Sequence, residues 1–312
     1  MQLIRGLHNL QKFRPEFSQG CALTIGNFDG VHLGHQHVLQ VLREEAKKRH
    51  LPTVVMVFEP LPVEFFSPQK APVRLMNLRE KLQAFAKTDV DYVVCVHFTA
   101  EFANLSAAEF VEQVLVDGFA VQHLVVGDDF HFGKGRKGDF AYLQQAGSQF
   151  GFSVTDMPTH QMGQERVSST RIREALQKPD LAEVNRLIGA PFGFNGRVIH
   201  GQKLGRTIGF PTLNLNPKRI QMPVQGVFAV TVEGIAEKPW PAVANLGLRP
   251  TVDGVRPSIE VHLFDWGQDL YGRHIDVTLQ SFIRPEMKFN GLDALTVQIK
   301  QDAQQAREFF GI

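Results

Sequence analysis

Gly26-Asn27-Phe28-Asp29-Gly30-Val31-His32-Leu33-Gly34-His35 links an apolar run at residues 21–25 to a stretch at 36–49 in which Val38, Leu39, Leu42 and Ala46 recur at helical spacing. The pattern predicts a buried strand, a glycine turn and a helix, with two histidines at the strand-to-helix junction. A helix N-terminus there aims unpaired N–H groups and the positive end of its dipole at an anion, and Gly34 lets the backbone come close. The junction therefore reads as a nucleotide-phosphate site to which His32 and His35 add side-chain donors. Two surface histidines on an ordinary turn are the bland alternative, and the strand-turn-helix context argues against it. A metal site with His37 as third ligand is weaker, because no cysteine or carboxylate stands at zinc-ligand spacing beside it.

Outward from this run, apolar segments at 53–58, 92–98, 123–127 and 152–157 alternate with helical ones, which calls for a mainly parallel sheet. Ser106-Ala107-Ala108-Glu109 is a capping box opening a helix to about residue 116, with Phe110, Val111, Val114 and Leu115 as its apolar face. A doubly wound, Rossmann-like α/β domain is expected, in which ligands gather at the carboxyl ends of strands beside a topological switch, where residues 26–35 would lie. The rhythm changes after residue 177: Lys178-Pro179-Asp180 ends one helix, a second runs to about 188, and Gly189-Ala190-Pro191 breaks the chain. The expected domains are residues 1–189 and 190–312. In the second, strand candidates at 196–200, 227–232, 242–246, 258–264 and 274–282 predict an antiparallel barrel or sandwich. A closing helix, Leu292–Phe310, carries Leu295, Ile299, Ala303, Ala306 and Phe310 at helical spacing.

Two domains suit a chain of 312 residues, each able to bury its own core. With 33 basic and 32 acidic side chains the net charge of +1 gives no global attraction to nucleic acid or membrane, so neither is expected as a partner and an anionic ligand must be held locally. Residues 1–10 lack a signal-peptide core and the longest apolar runs fall far short of a membrane span, so a soluble cytoplasmic protein is expected. Cys21 and Cys95 sit in apolar segments and read as small core residues.

Arg166-Val167-Ser168-Ser169-Thr170-Arg171-Ile172-Arg173 puts hydroxyls at a helix start, followed by guanidiniums. Alone, that is commonly an N-cap with arginines on a solvated face. Joined to the histidines, it would complete an adenylyl-transfer site, where a phosphate attacks the α-phosphorus of ATP and pyrophosphate leaves. Such a reaction mostly needs charge stabilisation: His32 and His35 can donate to the α-phosphate, and Arg166, Ser169, Thr170 and Arg173 can hold the departing phosphates. The glycine-rich loop at 127–139 is no P-loop, since no Gly-Lys pair followed by Ser or Thr occurs at the required spacing. A substrate loop carrying Asp129 and Phe130 and a mobile polar loop both stay open.

In the second half, Gly205-Arg206-Thr207-Ile208-Gly209-Phe210-Pro211-Thr212-Leu213-Asn214 leads from a glycine segment through a rigid Phe-Pro turn to a hydroxyl and an amide that point the same way in an extended strand. Thr212 and Asn214 could offer two oxygen ligands to Mg²⁺, or form a polar strand edge. Glu260 shares a strand face with His262 and could accept the proton of an attacking hydroxyl during phosphoryl transfer, the ordinary alternative being a solvated glutamate.

The run at 26–35, Gly-Asp-Asp-Phe-x-Phe-Gly from 127 and Ser-Ser-Thr-Arg-Ile-Arg from 168 together resemble the adenylyltransferase module of bacterial bifunctional riboflavin kinase/FMN adenylyltransferases, the FAD synthetases. Gly-Arg-x-x-Gly-Phe-Pro-Thr-x-Asn from 205, Pro223-Val224-Gln225-Gly226-Val227-Phe228, Asn245-Leu246-Gly247-Leu248-Arg249-Pro250-Thr251 and Glu260-Val261-His262 resemble the riboflavin kinase module, so the similarity covers nearly the whole chain. The resemblance implies a six-stranded barrel, phosphorylation of riboflavin to FMN and adenylylation of FMN to FAD, with ATP as co-substrate and Mg²⁺ as cofactor. It implies that Gly26, Phe28, Asp29, His32, Gly34, His35, Arg166, Ser169, Thr170 and Arg173 form the first nucleotide site, and that Gly205, Arg206 and Gly209 cover ATP in the second. There Thr212 and Asn214 would bind Mg²⁺ and Glu260 would be the base. Two departures are Asp129, where some members carry Asn, and Leu61, which replaces a commonly polar residue. The alternatives are a nucleotidyltransferase for another phosphorylated cofactor precursor with an accessory barrel, and a flavin-binding or flavin-sensing protein without turnover. Intact His32, His35, Thr212, Asn214 and Glu260 argue against the last.

Overall fold

Six parallel strands, β1 (Gln2–Arg5), β2 (Cys21–Ile25), β3 (Thr53–Glu59), β4 (Tyr92–His97), β5 (Val121–Gly127) and β6 (Ser153–Met157), form a sheet in the order β1-β4-β3-β2-β5-β6. The computed structural model describes residues 1–13, 15–158, 161–162, 165–201, 205, 208–251 and 254–312, with the side chains of 249–251 and 254–255 left aside. They cluster into two units, Met1–Pro72 with Lys81–Ser168, and Val73–Glu80 with Ser169–Ile312.

All five residues of β2 are buried, as an apolar run between two strand neighbours should be. The chain lays β3 and β4 to one side of β2 and then crosses to place β5 and β6 on the other, so the topological switch lies at β2, whose carboxyl end delivers Gly26. The helix Leu33–Arg49 follows, burying Leu39, Leu42 and Ala46. The capping box forms, with Glu109 N–H donating to Ser106 Oγ and Ser106 N–H to Glu109 Oε2. Beyond it Phe110–Val116 winds as a π-helix, while Phe110, Val111, Val114 and Leu115 stay buried as the apolar face. Cys21 and Cys95 are free and buried.

The second unit is built on a closed antiparallel barrel of β9 (Gly193–Ile199), β10 (Leu213–Leu215), β11 (Gly226–Glu233), β12 (Trp240–Thr251), β13 (Gly254–Leu263) and β14 (His274–Arg284). The two remaining strands, β7 (Gln161–Met162) and β8 (Glu165–Arg166), pair with each other in the first unit. The helix Leu292–Phe310 lies against β11, β12 and β14, with Ala303 and Ala306 buried beside Val227, Ala229, Val243 and Phe264. Small residues on that face let the helix approach the barrel wall closely.

Val73–Glu80 carries a capping box of its own, Asn77 with Glu80, and is tied to this unit through the Glu80 carboxylate, which accepts from the Arg219 guanidinium and from Asn195 N–H at 3.0 Å. Burial raises the Glu80 carboxyl above its usual range, and the Arg219 charge works against that rise. Breaking such a buried pair from one side leaves an uncompensated charge.

His123 on β5 is 1 % exposed, with Nδ1 2.7 Å from Ser153 Oγ and Nε2 3.2 Å from Thr155 Oγ1. Burial pushes its pKa down to about 4, whereas histidine in an unfolded chain titrates near ~6.5. On acidification the unfolded state therefore takes up the proton first, and stability should fall as pH drops from about 6.5 to about 4. Denaturant melts across that window should show a shallower fall for His123→Gln than for the parent chain.

Candidate active sites

Past Ile25 the chain reverses through a turn that needs unusual backbone: Gly30 has φ 93°, and Phe28 and Val31 have φ 48° and 39°. Positive φ at a β-branched residue is sterically poor and persists only where the surroundings over-determine it. Gln36 Nε2 donates to Val31 O at 2.9 Å, and Phe28, Asp29, Val31 and His32 are all buried.

His32 caps the helix Leu33–Arg49 with its side chain: His35 N–H donates to its Nδ1 at 3.4 Å. With Nδ1 accepting, a neutral His32 ring carries its hydrogen on Nε2. The two imidazoles stack, centroids 3.7 Å apart and planes 16° from parallel. Burial, then the neighbouring charges of His32 and Lys81, push the His35 pKa well below its ordinary value, so this ring stays neutral. His35 Nδ1 is enclosed and finds no hydrogen-bond partner among the described residues. An orphaned polar atom at a helix N-terminus is a group awaiting a ligand.

Gly34 sits close to its neighbours: a Cβ there would lie 3.2 Å from His32 Nδ1 and 3.5 Å from Val167 O, so the His32 ring would have to give. At Gly26 it would meet the Phe28 ring at 3.0 Å. The structure thus brings Gly26, Phe28, Asp29, His32, Gly34 and His35 into one turn. It also pairs Arg166 of β8 with Asp129 of the 127–139 loop at 2.8 Å, joining two expected site residues. The 127–139 loop that carries Asp129 is pinned by reciprocal 3.0 Å bonds between Phe132 and Gly138 and by Lys134 N–H to Leu105 O, and Phe130 stacks on Phe132. Leu61 is 3 % exposed, so this departure from the family pattern is a core side chain. Ser169, Thr170 and Arg173 lie on the helix Ser169–Gln177 of the second unit, where Arg173 Nε donates to Val73 O at 2.6 Å.

In the barrel, Glu260 on β13 stands in register between Asn214 of β10 and Asn245 of β12, so the three side chains form a row across one face. A cavity of about 300 Å³ opens over Glu260, Asn245, Thr212 and His262. Its far wall comes from the last strand, the segment after it and the closing helix: Arg284, Glu286, Met287, Phe289, Leu295 and Asp302. Arg284 and Asp302 meet in a two-pronged ion pair, Nε to Oδ1 at 2.8 Å and Nη2 to Oδ2 at 2.7 Å, tying that wall together. His262 Nδ1 lies 2.9 Å from Pro211 O, and burial lowers its pKa, so it is neutral. Phe210 N–H closes a turn onto Gly205 O at 2.7 Å, and Gly209 takes φ 83°. Arg206 lies outside the described residues. Sequence reasoning missed the far wall, whose residues come from a loop and a helix with no motif between them, and it missed Lys81, a buried lysine on the helix Leu78–Ala86 that bonds to Asn27 O.

Comparison with known proteins adds two family models: FAD synthetase, matching residues 14–171, and riboflavin kinase, matching residues 188–310. Among curated relatives, the bifunctional riboflavin kinase/FMN adenylyltransferase of Escherichia coli (strain K12) is 54% identical over 312 residues, covering 100% of this chain and 99% of the relative. The protein of the same name from Haemophilus influenzae is 49% identical, covering 99% of each chain. A crystal structure described as a macrolide-efflux protein from Streptococcus pneumoniae superposes with a TM-score of 0.75 at 32% identity, covering 92% of this chain and 94% of the other. No helix among the described residues is long and apolar enough to cross a membrane.

Gly34→Ala separates helix stability from ligand binding. Alanine favours the helix by roughly 1 kcal/mol, but its Cβ displaces the His32 ring. If the turn is where ATP binds, thermal melting should hold while ATP affinity falls about tenfold, as read by titration calorimetry.

Proposed function

This chain belongs to the family of bifunctional riboflavin kinase/FMN adenylyltransferases, and from that membership we propose how its own residues carry the two reactions. The N-terminal region is the FAD synthetase, which adenylylates FMN with release of pyrophosphate, and the C-terminal region is the flavokinase, which phosphorylates riboflavin. ATP and flavins are its substrates and products. We place the functional boundary between 1–189 and 190–312, within two residues of where the riboflavin kinase match begins at 188.

For adenylyl transfer, the FMN phosphate attacks the α-phosphorus of ATP. His32 and His35 donate to the α-phosphate as charge grows there, and Gly26, Phe28, Asp29 and Gly34 shape the turn that receives it. The observation that carries this reading is the enclosed, unpartnered Nδ1 of His35 at a helix N-terminus beside a topological switch. A neutral ring suits the task, because it donates through one N–H without needing a second proton. Arg166, Ser169, Thr170 and Arg173 are assigned the departing phosphates on the strength of their motif, and Asp129 with Phe130 the substrate loop.

In the barrel, Glu260 takes the proton of the ribityl hydroxyl as it attacks the γ-phosphorus, and Gly205, Arg206 and Gly209 cover the ATP phosphates. Thr212 and Asn214 fit Mg²⁺: both offer neutral oxygens, Asn214 is buried in register with Glu260, and a Cβ at Gly201 would collide with the Asn214 amide, so backbone closes around it. When bound, the ion would offset charge on the transferred phosphoryl group. Consumption of ATP in both reactions supports a cytoplasmic location.

His32→Ala should stop FAD formation while FMN accumulates from riboflavin. Glu260→Ala should stop FMN formation yet convert supplied FMN to FAD. Chromatography of the three flavins reads both, and loss of both activities in either variant would contradict separate sites.

A further inference from the structure

Lys81 is 2 % exposed, and no other lysine among the described residues is buried. Burying an ammonium is costly unless it is hydrogen-bonded, and Lys81 Nζ donates to Asn27 O at 2.6 Å, inside the turn that carries the histidines. Four residues along the same helix face, Phe85 is fully buried and meets the Phe28 ring edge-on at 5.4 Å, and Phe28 in turn lies 5.0 Å from the His35 ring. The helix Leu78–Ala86 thus grips the turn at two points, a carbonyl and a ring, on either side of the strained Phe28 backbone.

We propose that Lys81 is a positioning residue for adenylyl transfer: by holding the Asn27 carbonyl it fixes the strained turn so that His32 and His35 face the α-phosphate of ATP. This rests on the reading that those histidines meet ATP. A second consequence follows from its charge. The titratable groups facing His35 are His32, from the same helix start, and Lys81, from the helix across the turn, and both add to burial in keeping His35 neutral. Lysine at this position serves geometry and protonation state together, which a neutral side chain of equal length cannot do.

The test compares full-length Lys81→Met and Lys81→Arg with the parent chain. Lys81→Met should lower kcat for FMN adenylylation roughly 10- to 100-fold with a smaller change in KM for ATP. The His35 titration, followed by NMR of its ring protons, should move to higher pH in the same variant. Lys81→Arg should recover part of the rate, and riboflavin phosphorylation by each preparation should stay at the parent level. A kcat for Lys81→Met within about threefold of the parent, with an unmoved His35 titration, would overturn the proposal. So would a joint loss of both activities with a lowered Tm, which would assign Lys81 to folding alone. His35→Ala is the reference: if it also leaves FAD formation intact, the reading of the turn itself fails, whereas if it abolishes FAD formation and Lys81→Met does not, only the role of Lys81 fails.

Discussion

A strand buried along its whole length and flanked by parallel neighbours on both sides has one place where its chain can leave the sheet, and for β2 that place is Gly26. The helix that follows must start within a few residues to cover the sheet, so the turn is forced into positive φ at Phe28, Gly30 and Val31. That strain persists because a half-buried amide, a buried ammonium and a ring hold it, Gln36 to Val31 O, Lys81 to Asn27 O and Phe85 to Phe28. In return the fold gains a helix N-terminus with stacked histidines at the switch point of the sheet. Chemistry that needs charge stabilisation more than covalent assistance is well served by such a preorganised end.

The barrel meets a different constraint. Closure pairs every strand edge and leaves no template for association, and the candidate functional side chains stand on the outer face of the wall, beside the closing helix. Cross-strand register does the placing: Asn214, Glu260 and Asn245 come from three different strands and share one row. The cavity is completed by the segment after β14 and by the closing helix, joined through Arg284 and Asp302. That ion pair is nearly dry, with side chains 15% and 5% exposed, so its loss would open the wall and leave a charge without a partner.

Much of this was legible in the sequence, for reasons that differ by element. Residues 53–58 and 92–98 read as strands because both faces of a central parallel strand are apolar. The order of domains was legible from motifs whose glycine turns and helix starts have local signatures. β1 was not, being four residues with one, Ile4, buried. β10 was legible only as an extended stretch after the Phe-Pro turn, since its pairing is set by β9 and β13. Glu80 and Lys81 are the sharpest case: hydropathy puts adjacent charged residues of a helix in water, yet both are buried, because Arg219 and the Asn27 carbonyl arrive from distant parts of the chain. Partners far apart in sequence leave no local trace. The Phe110–Val116 face was read correctly while its π winding was not, since burial follows from which residues are apolar and the hydrogen-bond step does not.

If the turn at residues 26–35 and the barrel row around Glu260 are separate sites for the two reactions, FMN released by one chain can be adenylylated by another. Mixing the His32→Ala chain with the Glu260→Ala chain and supplying riboflavin, ATP and Mg²⁺ tests it directly. The account predicts that the mixture makes FAD after a lag in which FMN rises, although neither chain alone makes FAD from riboflavin. A mixture that accumulates FMN and never forms FAD, or that forms neither, would contradict it.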